Sequence, residues 1–158
     1  MPLILGGAIV DAVAQGDGGR VDAPAGTRVA ELDYDGTPTG SVHSWPDGGE
    51  LLDAGTPARV AALLSPRPSQ LSVSAGGIVA TVTWTGLDHA LVWTEFGRSA
   101  ESPWNSSVWA LGVEPTTTAH GAGSGWGQGM VTLDAGAGMA WSTTLRIAAV
   151  GAAGREAS

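Results

Sequence analysis

The sequence predicts an all-β fold, an antiparallel β-sandwich. Three observations lead there. The 158 residues include 25 glycines and 9 prolines, which punctuate the chain too often for long helices. Short apolar and β-branched runs stand between glycine-rich turns. From Gln70 to Glu95 apolar and polar residues alternate with period two.

The elements follow in chain order. Ala8–Ala14 is an apolar run between glycine pairs and reads as a strand. Thr27–Asp33 alternates, with Val29 and Glu31 on one side and Arg28, Ala30 and Leu32 on the other. Asp35-Gly36-Thr37-Pro38-Thr39-Gly40 reads as a turn, and Trp45-Pro46-Asp47-Gly48-Gly49 centres a second turn-rich stretch. Ala58–Leu64 fits one helical turn or a buried strand, because periodicity cannot decide over so short a run. Pro66 and Pro68 end it either way.

Beyond Gln70, Leu71 and Val73 alternate with serines, and Ala75-Gly76-Gly77 turns the chain. Ile78, Ala80, Val82 and Trp84 share a face, Gly86-Leu87-Asp88 turns again, and His89, Leu91, Trp93 and Glu95 alternate with Ala90, Val92 and Thr94. The pattern predicts a three-stranded meander. Ser107–Glu114 is a further strand, ended by Pro115, which has no N–H to give a ladder. A glycine-rich loop follows over His120–Gly129. Met130–Asp134 and Met139–Val150 form a closing hairpin whose second arm aligns Trp141, Thr143, Leu145 and Ile147. Residues 1–150 make one domain and 151–158 a frayed tail.

Seven arginines, no lysine and 15 acidic residues leave a formal charge of −8. That balance argues against nucleic acid or an anionic membrane as partner, since both need a basic face. No apolar run approaches the roughly 20 residues that span a bilayer. Met1-Pro2-Leu3-Ile4-Leu5 makes a poor secretion signal. The chain has no cysteine, which removes disulfides, thiolate catalysis and thiolate metal sites and fits a cytoplasmic location. No cofactor or metal is predicted. Asp33-Tyr34-Asp35-Gly36 lacks the remaining ligands of a calcium loop, and Gly121–Gly127 lacks the Gly-Lys-Ser/Thr of a phosphate loop.

Glu114 is the candidate for chemistry. Positions 108, 110, 112 and 114 point the same way on their strand and read Val, Ala, Gly, Glu. Small neighbours leave room above the sheet, and shelter from water makes a carboxylate a stronger base. The alternative is a strand-end glutamate pointing into solvent. Three histidines, His43, His89 and His120, are available as partners, and His120 follows Glu114 across a threonine-rich loop. Glu95 and Glu101 are further carboxylates that could pair with it. Indole rings offer sugars a flat apolar surface with one N–H donor. Trp84 and Trp141 sit in alternating faces and read as core, whereas Trp45, Trp104 and Trp126 lie in loops and are the candidates to line a sugar cleft.

Trp93-Thr94-Glu95-Phe96-Gly97, with Pro103-Trp104-Asn105-Ser106-Ser107-Val108-Trp109-Ala110-Leu111-Gly112-Val113-Glu114-Pro115-Thr116-Thr117-Thr118, resembles the C-terminal region of galactose mutarotase-like proteins, the aldose 1-epimerases and their relatives. The closing hairpin before Trp141-Ser142-Thr143-Thr144-Leu145 is similar to that family's last strands. The resemblance covers about residues 70–150. It implies a large sandwich, a supersandwich, with a hexose cleft on a concave sheet and Glu114 as general base, interconverting the α and β anomers of an aldose. The family's acid histidine has no counterpart, and Met1-Pro2-Leu3 stands where its segment would align, which implies that the N-terminal part of the family fold is absent. His120 is the substitute nearest in sequence. The second reading is a non-catalytic carbohydrate-binding or self-associating sandwich, since an incomplete one exposes strand edges and favours a homodimer.

Overall fold

The structure, a computed structural model, describes residues 3–5, 8–101, 105–119 and 131–150. Eleven strands and one helix are present among them: β1 (Leu3–Leu5), α1 (Ala8–Ala14), β2 (Gly19–Asp22), β3 (Arg28–Leu32), β4 (Pro38–Ser44), β5 (Glu50–Leu52), β6 (Arg59–Leu64), β7 (Gln70–Ala75), β8 (Ile78–Thr85), β9 (His89–Phe96), β10 (Trp109–Thr116) and β11 (Ser142–Ala149). They form two antiparallel sheets, of six strands in the order β1-β10-β9-β6-β3-β4 and of five in the order β11-β8-β7-β2-β5. The all-β sandwich is as the composition predicted.

The sheets meet through the faces that alternation marks. Val29, Ala61, Leu63, Ala90, Val92, Phe96, Leu111 and Val113 point inward from the six-stranded sheet; Val21, Leu52, Leu71, Val73, Ala80, Val82 and Trp84 meet them from the five-stranded one. Burying a side chain of this kind contributes about 1.5–3 kcal/mol. That term, repeated across the cluster, holds two sheets that share few hydrogen bonds.

Four expectations are corrected. Ala8–Ala14 is a helix, not a strand. Ile9, Ala12 and Val13 are buried, at the i, i+3, i+4 spacing of one helical stripe, while Asp11 is exposed. The short run hid that period. The predicted meander is broken. β7 and β8 form a hairpin whose Gly76 and Gly77 both take positive φ, but β9 does not pair with β8. The other side of β8 is occupied by β11, so the chain crosses at Gly86–Asp88 into the opposite sheet, where β9 lies between β10 and β6. Both strands have period two, and period does not say which sheet a strand joins.

The closing hairpin is also absent. Residues 131–134 are in no strand, and β11 pairs with β8 instead. Finally, β10 runs through Pro115 to Thr116. Pro115 is opposite Ala90 of β9, past Val113, the last residue of β10 that β1 pairs with, so among the described residues no strand on that side faces its missing N–H. The ambiguous segment at Ala58–Leu64 resolves as strand β6, apolar on both faces because it is central.

One ionic cluster ties the sheets. Arg59 of β6 donates Nε to Glu31 of β3 at 2.9 Å and Nη1 to Glu50 of β5, in the other sheet, at 2.5 Å. The hydrogen bond from Arg59 holds the Glu31 carboxyl below the usual carboxylate range, outweighing the opposite push of partial burial. His43 Nδ1 lies 3.6 Å from the same carboxylate. A carboxyl lowered in the folded state stabilises the fold above its unfolded pKa and loses that contribution as pH falls through its folded value. Arg59→Gln is therefore expected to lower stability at neutral pH by about 1–3 kcal/mol. Urea unfolding as a function of pH should show the gap between wild type and variant closing in acid, below the ordinary glutamate range. A gap independent of pH would assign the loss to packing instead.

Candidate functional site

The two outward faces differ in chemistry. The five-stranded sheet presents Ser72, Ser74, Thr81, Thr83 and Thr85, with Ser72 and Thr81 hydroxyls 3.0 Å apart across strands. The six-stranded sheet presents Val60 and Ala62 from β6, Leu91 and Trp93 from β9, and Ala110 and Gly112 from β10. Glu114 lies on this second face, since its neighbours Leu111 and Val113 belong to the core. This face is apolar, with a carboxylate and an indole on it; Ala62, Ala110 and Gly112 are buried, and Val60, Leu91, Trp93 and Glu114 are half-buried.

Trp93 and Gly112 are direct register partners on β9 and β10. The indole lies over the glycine: a Cβ there would fall 1.8 Å from Trp93 Nε1. Lying across the strand, Nε1 reaches two residues along β10 and donates to Glu114 Oε1 at 2.9 Å. The glycine thus makes room for the ring, and the ring orients the carboxylate. Glu114 is half-buried rather than bathed in solvent. The sequence pattern predicted the small, apolar approach to Glu114; it missed Trp93, whose partner was hidden until the β9–β10 register was known.

Other carboxylates do not pair with Glu114. Glu95 is on the same face but opposite Ala110, whereas Glu114 is opposite Leu91. Four residues of strand, about 13 Å, separate those positions. Glu95 is 1% exposed and turned toward the end of β9. Its carboxylate accepts from the Ser99 hydroxyl and from the N–H groups of Arg98 and Ser99 at 2.7 and 3.0 Å. Burial, the largest single influence, would raise the Glu95 carboxyl; the bonds from Ser99 and Arg98 together outweigh it and hold the carboxyl below its ordinary value. Its work is to close the 95–99 turn. Glu101 is exposed. Asp35, in the acidic turn, accepts from Thr37 N–H at 2.9 Å, and that bond lowers its carboxyl.

The aromatic candidates separate. Trp45 is 3% exposed and lines an inter-sheet cleft of about 400 Å³ with Glu50, Arg59 and Thr94. That cleft is on the core side of the six-stranded sheet, so Trp45 and Glu114 do not share a site. Trp84 is core as expected; Trp141, read as core, is 56% exposed because β11 is a sheet edge. Trp104, Trp126 and His120 lie outside the described residues. Of the other histidines, His43 sits on β4 with three strands between it and β10. His89 opens β9 on the Glu114 face, two residues from Leu91, and its Nδ1 accepts from Ser65 N–H at 3.3 Å.

Among the described residues no group of three or more His, Asp or Glu side chains is placed to hold a metal ion, and no helix is long and apolar enough to cross a membrane. No protein-family model matches the chain, and it has no significant match among curated proteins or solved structures. The class that fold and site define is an antiparallel β-sandwich with an indole and a carboxylate on the outward face of its larger sheet.

Gly112→Ala tests that arrangement. The added methyl is expected to displace the indole, break the bond to Glu114 and lower stability by about 1–3 kcal/mol. Nuclear magnetic resonance checks it, through an upfield move of the Trp93 indole N–H signal, identified by its loss in Trp93→Phe.

Proposed function

We propose that this chain is a carbohydrate-binding β-sandwich whose site is the outward face around Trp93 and Glu114. The observation that carries the reading is the indole seated over Gly112 with its N–H on the Glu114 carboxylate. A pyranose presents apolar C–H groups on one face and hydroxyls at its rim. The indole and the apolar strand residues beside it suit the first, and the free lone pairs of an oriented carboxylate accept from the second. The strongly acidic chain and apolar floor favour a neutral ligand over an anion.

A second reading, anomer interconversion in the manner of an aldose 1-epimerase, is favoured by one further placement. His89 stands diagonally from Glu114 on the same face, with Cβ atoms of such a pair typically about 7–8 Å apart. In that reaction Glu114 takes the proton of the C1 hydroxyl while an acid, here His89, protonates the ring oxygen. The ring opens, the C1–C2 bond rotates, and closure returns either anomer. The resemblance of the Trp93–Thr118 stretch to mutarotase-like proteins supports the same substrate class.

Titration with α- and β-linked glucose and galactose oligosaccharides, followed by the Trp93 indole N–H signal, tests binding. A saturable shift is expected, lost in Trp93→Ala and weakened about tenfold or more in Glu114→Gln, the usual loss for a hydrogen bond to a charged acceptor. Polarimetry on freshly dissolved α-glucose and α-galactose separates the two readings. Acceleration abolished by Glu114→Gln and reduced by His89→Gln selects the epimerase; saturable binding with the spontaneous rate selects the module. Absence of any saturable response to the saccharides, with no acceleration, rejects both.

A further inference from the structure

A sandwich of two open sheets has four edges, and three of these are blunted. β1 and β5 are 3 residues each. β4 begins with Pro38, carries Gly40, sits opposite a register shift in β3, and has its Ser41 N–H bonded to the Thr39 hydroxyl. Short strands, proline and irregular register are the devices that keep an edge from pairing.

β11 has none of them. It is 8 residues long, pairs regularly with β8 over its whole length, and every residue on both faces is exposed. Its single charge is Arg146. Leu145 and Ile147 are 39% and 65% exposed, and Trp141 beside the strand is 56% exposed.

The hydrogen-bonding state of this edge can be read from one bond. Val150 N–H donates to Gly77 O at 2.7 Å, and these two continue the β11–β8 register. In an antiparallel ladder, alternate residues exchange both their bonds with the neighbouring strand and the others turn both groups away. Even-numbered residues of β11 therefore face β8. The N–H and C=O groups of Thr143, Leu145, Ile147 and Ala149 face outward from the sheet edge.

We propose that β11 pairs antiparallel with β11 of a second copy of this chain, about a two-fold axis at Leu145, joining the two five-stranded sheets edge to edge. The strand is complementary to itself in this register. Leu145 meets Leu145 of the second copy, Thr143 meets Ile147, and all are outward-bonding residues, so their backbone groups exchange bonds directly. Their side chains stay on the apolar face of the joined sheet, because directly opposed residues point the same way. Arg146 stands opposite Thr144. Shifting one way to the next same-face register sets Arg146 against its own copy, a like-charge pair; shifting the other way shortens the overlap. Two-fold self-pairing of one patch is the commonest geometry of soluble homodimers.

Sedimentation velocity over a concentration series is expected to show reversible dimerisation. Thr143→Pro removes an outward N–H and leaves the β8 ladder intact, and should weaken the dimer at least tenfold while circular dichroism remains that of the wild type. Because the chain has no cysteine, a single introduced thiol reports the register without background. Leu145→Cys should oxidise to a disulfide-linked dimer, since opposed bonded residues have Cα atoms about 5.5 Å apart, within disulfide reach. Thr144→Cys, facing Arg146, should not. A wild-type protein monomeric to its solubility limit, a dimer indifferent to Thr143→Pro, or cross-linking of Thr144→Cys in place of Leu145→Cys would each overturn the proposal.

Discussion

Burial of one face of every long strand but two governs this molecule. The two sheets adhere through side chains rather than a shared ladder, so each central strand must send alternate residues into one apolar layer. The exceptions are β4 and β11, at sheet edges, whose residues are exposed throughout. Everything else is placed by what the inner layer leaves over. Glu114 is on the outer face because Leu111 and Val113 are needed inside. Trp93 is beside it because Val92 and Phe96 have the same obligation on the neighbouring strand.

The polar interior is handled locally. Arg59, Glu31 and Glu50 meet at the rim of the inter-sheet layer, each roughly a quarter exposed, where the attraction is less screened than at the surface and desolvation is incomplete. Glu95 is enclosed more fully and is satisfied by donors a few residues along its own chain. Glu95 lies on the same face as Glu114, but neither arrangement involves Glu114 or Trp93. Those two side chains can therefore change without removing the ion pairs that tie the sheets.

The edges and the outward face raise one design question. Three of four edges carry features that discourage pairing, and the outer surface of the smaller sheet is hydroxyl-rich. Exposed apolar side chains gather along β11, at Trp141, Leu145 and Ile147, while the apolar residues around Trp93 on the six-stranded sheet are buried or half-buried. The proposed second copy and the proposed saccharide fall on these two regions respectively.

Composition and period two sufficed for the all-β class, for which residues of β3, β7, β8, β9 and β10 share a face, and for the small approach to Glu114, because alternation is a property of neighbours in the chain. Short range also explains the misreading of Ala8–Ala14, where seven residues hold too little of either period to decide between them. The partition of β8 and β9 between sheets, the pairing of β11 with β8, the bond from Trp93 to Glu114 and the separation of Trp45 from that glutamate were decided only in three dimensions. Each depends on which strands lie side by side. Strand pairing is set by the whole set of faces competing for one core, and no single stretch of the chain contains that competition.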